Sequence, residues 1–266
     1  METIVFFYRS THGDLSKRKE NSRPPFFSKL SCLRSFIRAV DKLSCDYKIF
    51  FCNDTPIPND RLELMGKYGE VINMSHLGNG GSQRFIFKLA KNQRSELIYF
   101  AEDDYLYIDT AFVSAVNTMF ILNNIDYFTL YDHPDRYKNL RSDPRTKSRI
   151  YLTNESHWRV TSSTCMSYGC RTKTFKKDFL KHYIFTIGVD RNDSLAKRIF
   201  NRLITMFQYY SWDQSMWHCI QGIKPYYFVF PKRRLISPIP SLASHMEKST
   251  LAPFIEWANI SRQGEI

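Results

Sequence analysis

The chain alternates short, almost wholly apolar runs with segments whose apolar residues recur at helical spacing. Apolar runs that end in polar residues are typical of strands buried on both faces of a sheet. The pattern predicts strands at residues 3–8, 46–52, 70–74, 97–101, 126–132 and 224–230, and two more at 149–159 and 160–171. It predicts helices at 26–43, 59–68, 110–122, 173–182 and 193–209, and another that begins at the glycine-rich turn 77–81.

The regular alternation of strands and helices over the first 132 residues predicts an α/β fold with a doubly wound, mixed sheet and flanking helices. The 266 residues contain no internal repeat, no low-complexity tract and no clear linker. We therefore expect a single domain.

Three consecutive carboxylates, Glu102, Asp103 and Asp104, interrupt the apolar segment 97–109. Open α/β sheets bind ligands in the crevice beyond the carboxyl ends of their strands, where these acids are expected. Adjacent carboxylates repel one another, and a bound Mn²⁺ or Mg²⁺ would neutralise them. A solvated acidic turn before the next helix, with Asp109 as its cap, would produce the same pattern.

Polar residues also follow the first two predicted strands. We expect Tyr8, Arg9 and Ser10 to contact the base and ribose of a nucleotide, and Asp54 to lie in the same crevice. The glycine-rich turn opens a helix that carries Arg84 and Lys88 on one face. A helix amino terminus with glycines can bind phosphate, although the same glycines also suit an ordinary flexible turn.

The formal net charge is +12, which predicts an anionic partner. Because no nucleic-acid-binding motif occurs, we expect contact with an anionic membrane surface and none with nucleic acid. The sequence shows no secretory signal and no run of about 18 apolar residues, so we expect a cytoplasmic protein, peripheral at the inner face of the membrane.

An acid between two tryptophans and a late histidine complete the candidate chemistry. In a metal-assisted glycosyl transfer, Asp104 would bind the metal and Asp213 would accept the proton of the attacking hydroxyl. Trp212 and Trp217 would form an apolar wall for the acceptor sugar, and His245 would be a further metal ligand. Asp213 could equally be a helix cap, and His245 an ordinary surface or core residue.

The segment Phe100-Ala101-Glu102-Asp103-Asp104, followed by Leu106 and Asp109-Thr110-Ala111-Phe112, resembles the variant DXD motif of GT-A glycosyltransferases. It is most similar to that of the N-acetylglucosaminyltransferase I group, and Trp212-Asp213 matches that group's Trp-Asp element. The resemblance implies a GT-A-like sheet, a metal on Asp104, Asp213 as base and an inverting reaction. Residues 1–132 would then bind the nucleotide-sugar and residues 133–266 the acceptor.

By the same analogy we expect a UDP-sugar donor and a glycan or lipid-linked glycan acceptor, in surface polysaccharide or viral glycan synthesis. A nucleotidyltransferase that acts on sugar phosphates would also place acids at strand ends, but its glycine-rich loop should follow the first strand. A non-catalytic polyanion-binding module would explain the charge alone, and a glycoside hydrolase would use two carboxylates without a diphosphate site.

Overall fold

The computed structural model describes residues 3–13, 22–138, 148–206 and 210–263. Its strands are β1 Ile4–Ser10, β2 Tyr47–Asn53, β3 Glu70–Asn73, β4 Leu97–Glu102, β5 Tyr105–Tyr107, β6 Tyr127–Phe128, β7 Ile150–Leu152, β8 His157–Val160, β9 Tyr168–Arg171, β10 Leu235–Ile239 and β11 Ala243–His245. Its helices are α1 Lys29–Asp41, α2 Asn59–Tyr68, α3 Gly78–Lys91, α4 Ala111–Ile121, α5 Asp135–Lys138, α6 Thr172–Phe185, α7 Leu195–Ile204, α8 Trp212–Gln221 and α9 Trp257–Arg262, with a 3₁₀ turn at Lys248–Thr250.

Nine strands form one mixed sheet in the order β3-β2-β1-β4-β9-β6-β10-β8-β7. The first four of these strands run parallel, and β9 pairs antiparallel with both β4 and β6. A separate antiparallel pair, β5 with β11, lies directly after the acidic segment. The predicted mixed α/β sheet with flanking helices is thereby confirmed.

Alternate residues of β1 face opposite sides of the sheet, because side chains alternate along a strand. Phe6 packs with α1 and α4 in one core cluster, and Phe7 packs with α3, α6 and α8 in a second cluster. Residues 4–8 of β1 are therefore apolar, as the sequence pattern requires for a sheet that is covered on both faces, and the polar Arg9 and Ser10 follow at its carboxyl end.

Some predicted elements differ from the observed fold. The predicted strand 149–159 is divided between β7 and β8, and only the end of the predicted strand 160–171 is a strand, β9. Residues 224–230, predicted as a strand, form turns in which Tyr227, Phe228 and Phe230 are exposed. The last sheet strand is instead β10, which lies between β6 and β8. The charged, proline-containing segment 134–148, whose composition predicts a surface loop, lies mostly outside the described residues, apart from α5 at its start. Within the described residues, no helix combines the length and apolar character needed to cross a bilayer.

Gly169 of β9 allows the ring of Phe128 to pack directly against the sheet. A Cβ at this position would clash with three ring atoms of Phe128. Gly169→Ala is therefore expected to lower the free energy of unfolding by about 1–3 kcal/mol, the usual effect of overpacking. Gly66→Ala is the control, because nothing lies within 4 Å of its added Cβ. Urea titration measures the unfolding midpoint of both variants. A midpoint for Gly169→Ala equal to that of the unchanged chain would contradict the close contact between Gly169 and Phe128.

A buried histidine should make stability depend on pH. The two ring nitrogens of His182 form hydrogen bonds with the hydroxyls of Tyr127 and Tyr168. Burial lowers the pKa of this imidazole from 6.5 to about 3. Between these two values the unfolded chain binds more protons, so stability falls as the pH falls. The expected loss is about 2 kcal/mol between pH 7 and 5. His182→Gln should flatten this slope, whereas exposed His157→Gln should leave it unchanged.

Candidate active site

The three acids lie at the carboxyl end of β4, beside the end of its parallel neighbour β1. Arg9 is paired with Glu102 in the sheet register, so the two polar side chains leave the apolar core at the same edge. A crevice opens there, and it is lined by Arg9, Thr11, Gly13, Arg23, Lys29, Asp54, Thr55, Gly78, Asn79, Glu102, Asp103 and Asp104. The three acids thus lie in a crevice at the carboxyl ends of the strands, where the sequence pattern predicts them.

Arg9 holds Glu102 through a two-pronged ion pair. Its Nη2 lies 2.5 Å from Oε2 and its Nε lies 3.1 Å from Oε1 of that carboxylate. Its Nη1 donates to Oδ1 of Asn79 at 2.9 Å, and Gln83 donates to Oε1 of Glu102 at 2.8 Å. These bonds fix both side chains, because a forked guanidinium contact restrains orientation as well as distance.

Asp103 is the most enclosed of the three acids, with 7% of its surface exposed. Its Oδ2 accepts hydrogen bonds from the hydroxyl of Ser10 at 3.0 Å, the amide of Thr11 at 2.8 Å and Nζ of Lys29 at 2.8 Å. Arg61 adds a second cation at 4.0 Å. Asp103 therefore fixes the loop after β1 against the start of α1.

Asp104 forms contacts with a different set of partners. Its Oδ2 lies 2.9 Å from Nη2 of Arg23 and 3.2 Å from Nε2 of His245. Packing around the carboxyl opposes its ionisation, but His245 and Arg23 outweigh this and hold the pKa of Asp104 well below its usual range. The side chain is therefore charged near neutral pH, and β11 brings His245 to it from 141 residues away in the chain.

Each acid of the triplet thus has its own cationic partner. Four basic side chains, Arg9, Arg23, Lys29 and Arg61, surround three carboxylates in the described part of the crevice. The sequence pattern alone had attributed the neutralisation of these acids to a metal. The structure supplies part of that neutralisation from residues of other elements.

Asp104 and His245 are chemically suitable ligands for Mn²⁺. A carboxylate oxygen and an imidazole nitrogen already converge at 3.2 Å, and both are acceptable to this ion. Among the described residues, no group of three or more His, Cys, Asp or Glu side chains forms a metal site by itself. Ions of this kind are often held by one or two carboxylates together with substrate phosphates, and the residues present fit such an arrangement.

Four amides of the glycine-rich turn are already hydrogen-bonded to carboxylates of the chain. Asp54 accepts hydrogen bonds from the amides of Leu77 and Gly78, at 2.6 and 2.9 Å, at the start of α3. Asp190 accepts hydrogen bonds from the amides of Gly80 and Gly81, both at 3.1 Å. Two carboxylates of the chain therefore bind the amino terminus of this helix. Their negative charge interacts with the positive end of the helix dipole, which would otherwise attract a phosphate.

Three other predicted donor contacts point away from the crevice. Arg84 donates to the carbonyl of Thr186, and Nζ of Lys88 lies 5.7 Å from the ring centre of Tyr183, so both face the region of α6. Tyr8 packs in the core with Phe36 and is fully buried. The structure brings Arg9 and Asp54 to the crevice but not these three side chains. Ser10 is buried behind the crevice, where its hydroxyl donates to Asp103.

Asp213 lies in the first turn of α8 and lines a second pocket. The other lining residues are His133, Asp135, Arg136, Ser163, Thr164, Cys165, Ser211 and Gln214. Packing around Asp213 raises the pKa of its carboxyl, although the Ser211 hydroxyl and the Gln214 amide oppose the rise. A raised pKa increases the basicity of the carboxylate, which suits a group that must accept a proton.

Cys165 is one of the residues that line this pocket. Burial raises the pKa of its thiol to about 12, and the charges of Asp213, Asp104 and Glu102 act in the same direction. Its thiol also interacts with Tyr105, the residue that follows Asp104 in the chain, so this pocket lies near the acid triplet.

The predicted tryptophans have different surroundings. Trp212 is partly buried at the edge of the second core cluster. Trp217 is fully buried, with its ring 4.8 Å from that of Tyr168 and 5.4 Å from that of Tyr127. Since a buried ring cannot stack on a sugar, the structure does not place Trp217 at an acceptor site.

Comparisons with known proteins give no family assignment. No family model matches the chain, and no curated protein matches it. Among solved structures it is similar to S. aureus TarS residues 1–349, with 12% identity, a TM-score of 0.41, and coverage of 75% of this chain and 54% of that one. The aligned region therefore spans about half of the TarS structure.

Two further solved structures show comparable likeness. One is CMP:2-keto-3-deoxy-manno-octonic acid synthetase complexed with CTP, with 10% identity, a TM-score of 0.43, and coverage of 77% and 85%. Another is Mycobacterium tuberculosis glucosyl-3-phosphoglycerate synthase with Mn²⁺, UDP and glucosyl-3-phosphoglycerate, with 8% identity, a TM-score of 0.39, and coverage of 65% and 57%. Likeness at these values assigns no activity to the chain.

Proposed function

We propose that the chain is a glycosyltransferase that moves a sugar from a nucleoside diphosphate, UDP in particular, to a hydroxyl of a glycan or lipid-linked acceptor. The observation that carries the proposal is the crevice at the end of β4, where Glu102, Asp103 and Asp104 meet basic side chains. The neighbouring pocket around Asp213 supplies a carboxylate of raised pKa. The resemblance of both acidic elements to GT-A enzymes supports the same reaction.

The donor would lie in the crevice, within the amino-terminal half of the domain. Arg9 and Lys29 present positive charge toward a diphosphate, and their ion pairs with Glu102 and Asp103 hold them in place before the ligand arrives. Prepositioned charge is effective because it needs no reorganisation during the reaction. Asp54 stabilises the start of α3, which carries Asn79 at the crevice wall.

Asp104 and His245 would hold a Mn²⁺ or Mg²⁺ ion. Such an ion, bound together with diphosphate oxygens, neutralises the charge that develops on the leaving group. Arg23 shares the Asp104 carboxylate, so this cation would stabilise the same side of the diphosphate.

Asp213 would act as the base, in the carboxyl-terminal half of the domain. Its carboxylate takes the proton of the acceptor hydroxyl, whose oxygen forms a new bond to the anomeric carbon. The bond from that carbon to the diphosphate breaks, and the nucleoside diphosphate leaves with the electron pair. A single displacement of this kind inverts the anomeric configuration, so a retained configuration in the product would contradict it.

A thermal-shift panel of UDP, GDP, CMP, dTDP and ATP, each with and without Mn²⁺, tests the proposed donor site. A ligand that binds only the folded chain stabilises it by RT ln(1 + [L]/Kd), so a bound nucleotide raises the melting temperature. We expect a metal-dependent shift with UDP. A shift with ATP alone would favour a nucleotidyltransferase, and no shift with any nucleotide would contradict the proposal.

A further inference from the structure

Helix α7 has its apolar face turned away from the protein. At 100° per residue, Leu195, Ile199 and Leu203 share one face of this helix, and their side chains are 72%, 48% and 55% exposed. On the opposite side, Asn201 is 4% exposed and donates to the carbonyls of Phe185 and Ile187 at 3.2 and 2.8 Å. Surface helices normally bury the apolar stripe, so this orientation is the reverse of the usual one.

A second exposed apolar segment lies next to α7. Tyr227, Phe228 and Phe230 are 61%, 72% and 69% exposed in the turns that follow α8. The preceding residue, Tyr226, donates its hydroxyl to the carbonyl of Ile204 at 2.5 Å, which fixes the aromatic turn against the end of α7. We name the combined area the apolar surface; it consists of Leu195, Ile199, Leu203, Tyr227, Phe228 and Phe230.

The two segments of chain that form the apolar surface carry charges of one sign only. Residues 194–206 and 222–234 contain no Asp or Glu. They contain seven basic residues, Lys197, Arg198, Arg202, Lys224, Lys232, Arg233 and Arg234. Of these, Lys197 is paired with Asp193, Arg233 is paired with Asp178, and Nζ of Lys232 lies 5.3 Å from the ring centre of Phe230.

We propose that the apolar surface docks the protein onto an anionic lipid bilayer. Exposed leucine and isoleucine side chains on one helix face, flanked by Lys and Arg, are characteristic of helices that lie in the membrane interface. Tyrosine and other aromatic rings are favoured at the headgroup level, and each nearby cation adds attraction to anionic lipid. A second copy of the chain fits this surface poorly, because a two-fold contact would bring the same basic residues against each other.

The docked surface is connected to the crevice. Asp190, in the segment between α6 and α7, accepts hydrogen bonds from the amides of Gly80 and Gly81 at the start of α3. Asn79 of the same helix lines the crevice. Docking would therefore hold the crevice near the bilayer. The membrane contact itself does not depend on the proposed glycosyl transfer, and its test needs no enzymatic activity.

Vesicle co-sedimentation of the full chain tests the proposal. The probes are vesicles of phosphatidylcholine alone and vesicles of equal parts phosphatidylcholine and phosphatidylglycerol. We expect binding to the anionic vesicles and much weaker binding to the neutral ones. The double variant Ile199→Ser with Leu203→Ser should bind anionic vesicles about tenfold more weakly, since it removes apolar area that the membrane would bury. The double variant Lys197→Gln with Arg202→Gln should have an affinity for anionic vesicles that is lower by about fivefold for each side chain replaced.

A matched double variant separates docking from a general loss of apolar surface. Phe120→Ser with Ile121→Ser removes two side chains of α4 that are 49% and 54% exposed and lie outside the apolar surface. It should bind as the unchanged chain does. Equal vesicle binding by the Ile199/Leu203 variant would overturn the proposal. So would a dimer in sedimentation velocity that dissociates in that variant, because the surface would then belong to a second copy.

Discussion

Asp213→Asn is expected to reduce sugar transfer at least about a hundredfold while donor binding stays unchanged, because general-base catalysis contributes that much or more. The amide keeps the shape of the side chain in the first turn of α8 but cannot accept the hydroxyl proton. Transfer rates and nucleotide titrations of the same preparation check both parts of the expectation.

Asp60→Asn is the matched control for this change. Asp60 is the second residue of α2, as Asp213 is of α8, so both variants remove one charge from a helix amino terminus. Asp60 lies away from the pocket that Asp213 lines. If the two variants turned over at the same rate, Asp213 would not be the base.

The pH dependence of transfer provides a second test of this residue. Packing around Asp213 raises the pKa of its carboxyl above the ordinary value of 3.8. The base acts only when deprotonated, so the rate should fall as the pH falls through this raised pKa. A rate that stays constant down to the pKa of an ordinary aspartate would contradict the assignment.

Asp104→Asn is expected to remove the effect of Mn²⁺ on nucleotide binding and to weaken that binding at least about tenfold to a hundredfold, because even residues that only support a metal ligand contribute this much. The carboxylate is charged in the structure, because His245 and Arg23 outweigh the effect of packing on its pKa. The amide retains the shape but not the charge that would attract the ion. Calorimetric titration of UDP with Mn²⁺, and with a chelator in its place, measures the effect.

Asp109→Asn controls for loss of an acid from the same stretch of chain. Asp109 pairs with Arg38 at 3.3 Å and is not among the residues that line the crevice. This variant should bind UDP as the unchanged chain does. If the chelator leaves UDP binding to the unchanged chain intact, the basic side chains of the crevice bind the diphosphate without a metal.

The strands that carry the acids could be predicted because their signal is local. Residues 4–8 of β1 and residues 97–101 of β4 are apolar without interruption, and the polar residues that end these two strands mark the edge of the sheet. The crevice position of Glu102, Asp103 and Asp104 follows from that pattern alone. Their roles remain proposals.

Three of the four basic residues of the crevice, Arg23, Lys29 and Arg61, could not be predicted in the same way. Lys29 and Arg61 approach Asp103 from two helices, 74 and 42 positions away in the chain, and nothing in their local sequence distinguishes them from surface residues. The same limit applies to Asp190, which binds the amides of the glycine-rich turn. Contacts of this kind depend on how distant elements pack. The local sequence therefore gave no indication that Asp190, and not a phosphate, would bind the amides of the glycine-rich turn.

The segment 224–230 shows how a strong local signal can mislead. Its aromatic residues favour a strand, yet Phe228 and Phe230 are exposed and the sheet uses β10 instead. An apolar run indicates that a segment is removed from water. It does not distinguish a strand buried in the core from a surface segment that contacts a membrane or a partner protein. The proposed membrane contact is of the second kind.

Crystals grown with UDP and MnCl₂, measured at the manganese absorption edge, would test the proposed donor site most directly. We expect an anomalous peak at bonding distance from the Asp104 carboxylate and His245, with the diphosphate of UDP between that peak and Arg9. UDP bound outside the crevice, or a crevice that holds neither nucleotide nor manganese under these conditions, would contradict a glycosyltransferase donor site at the end of β4.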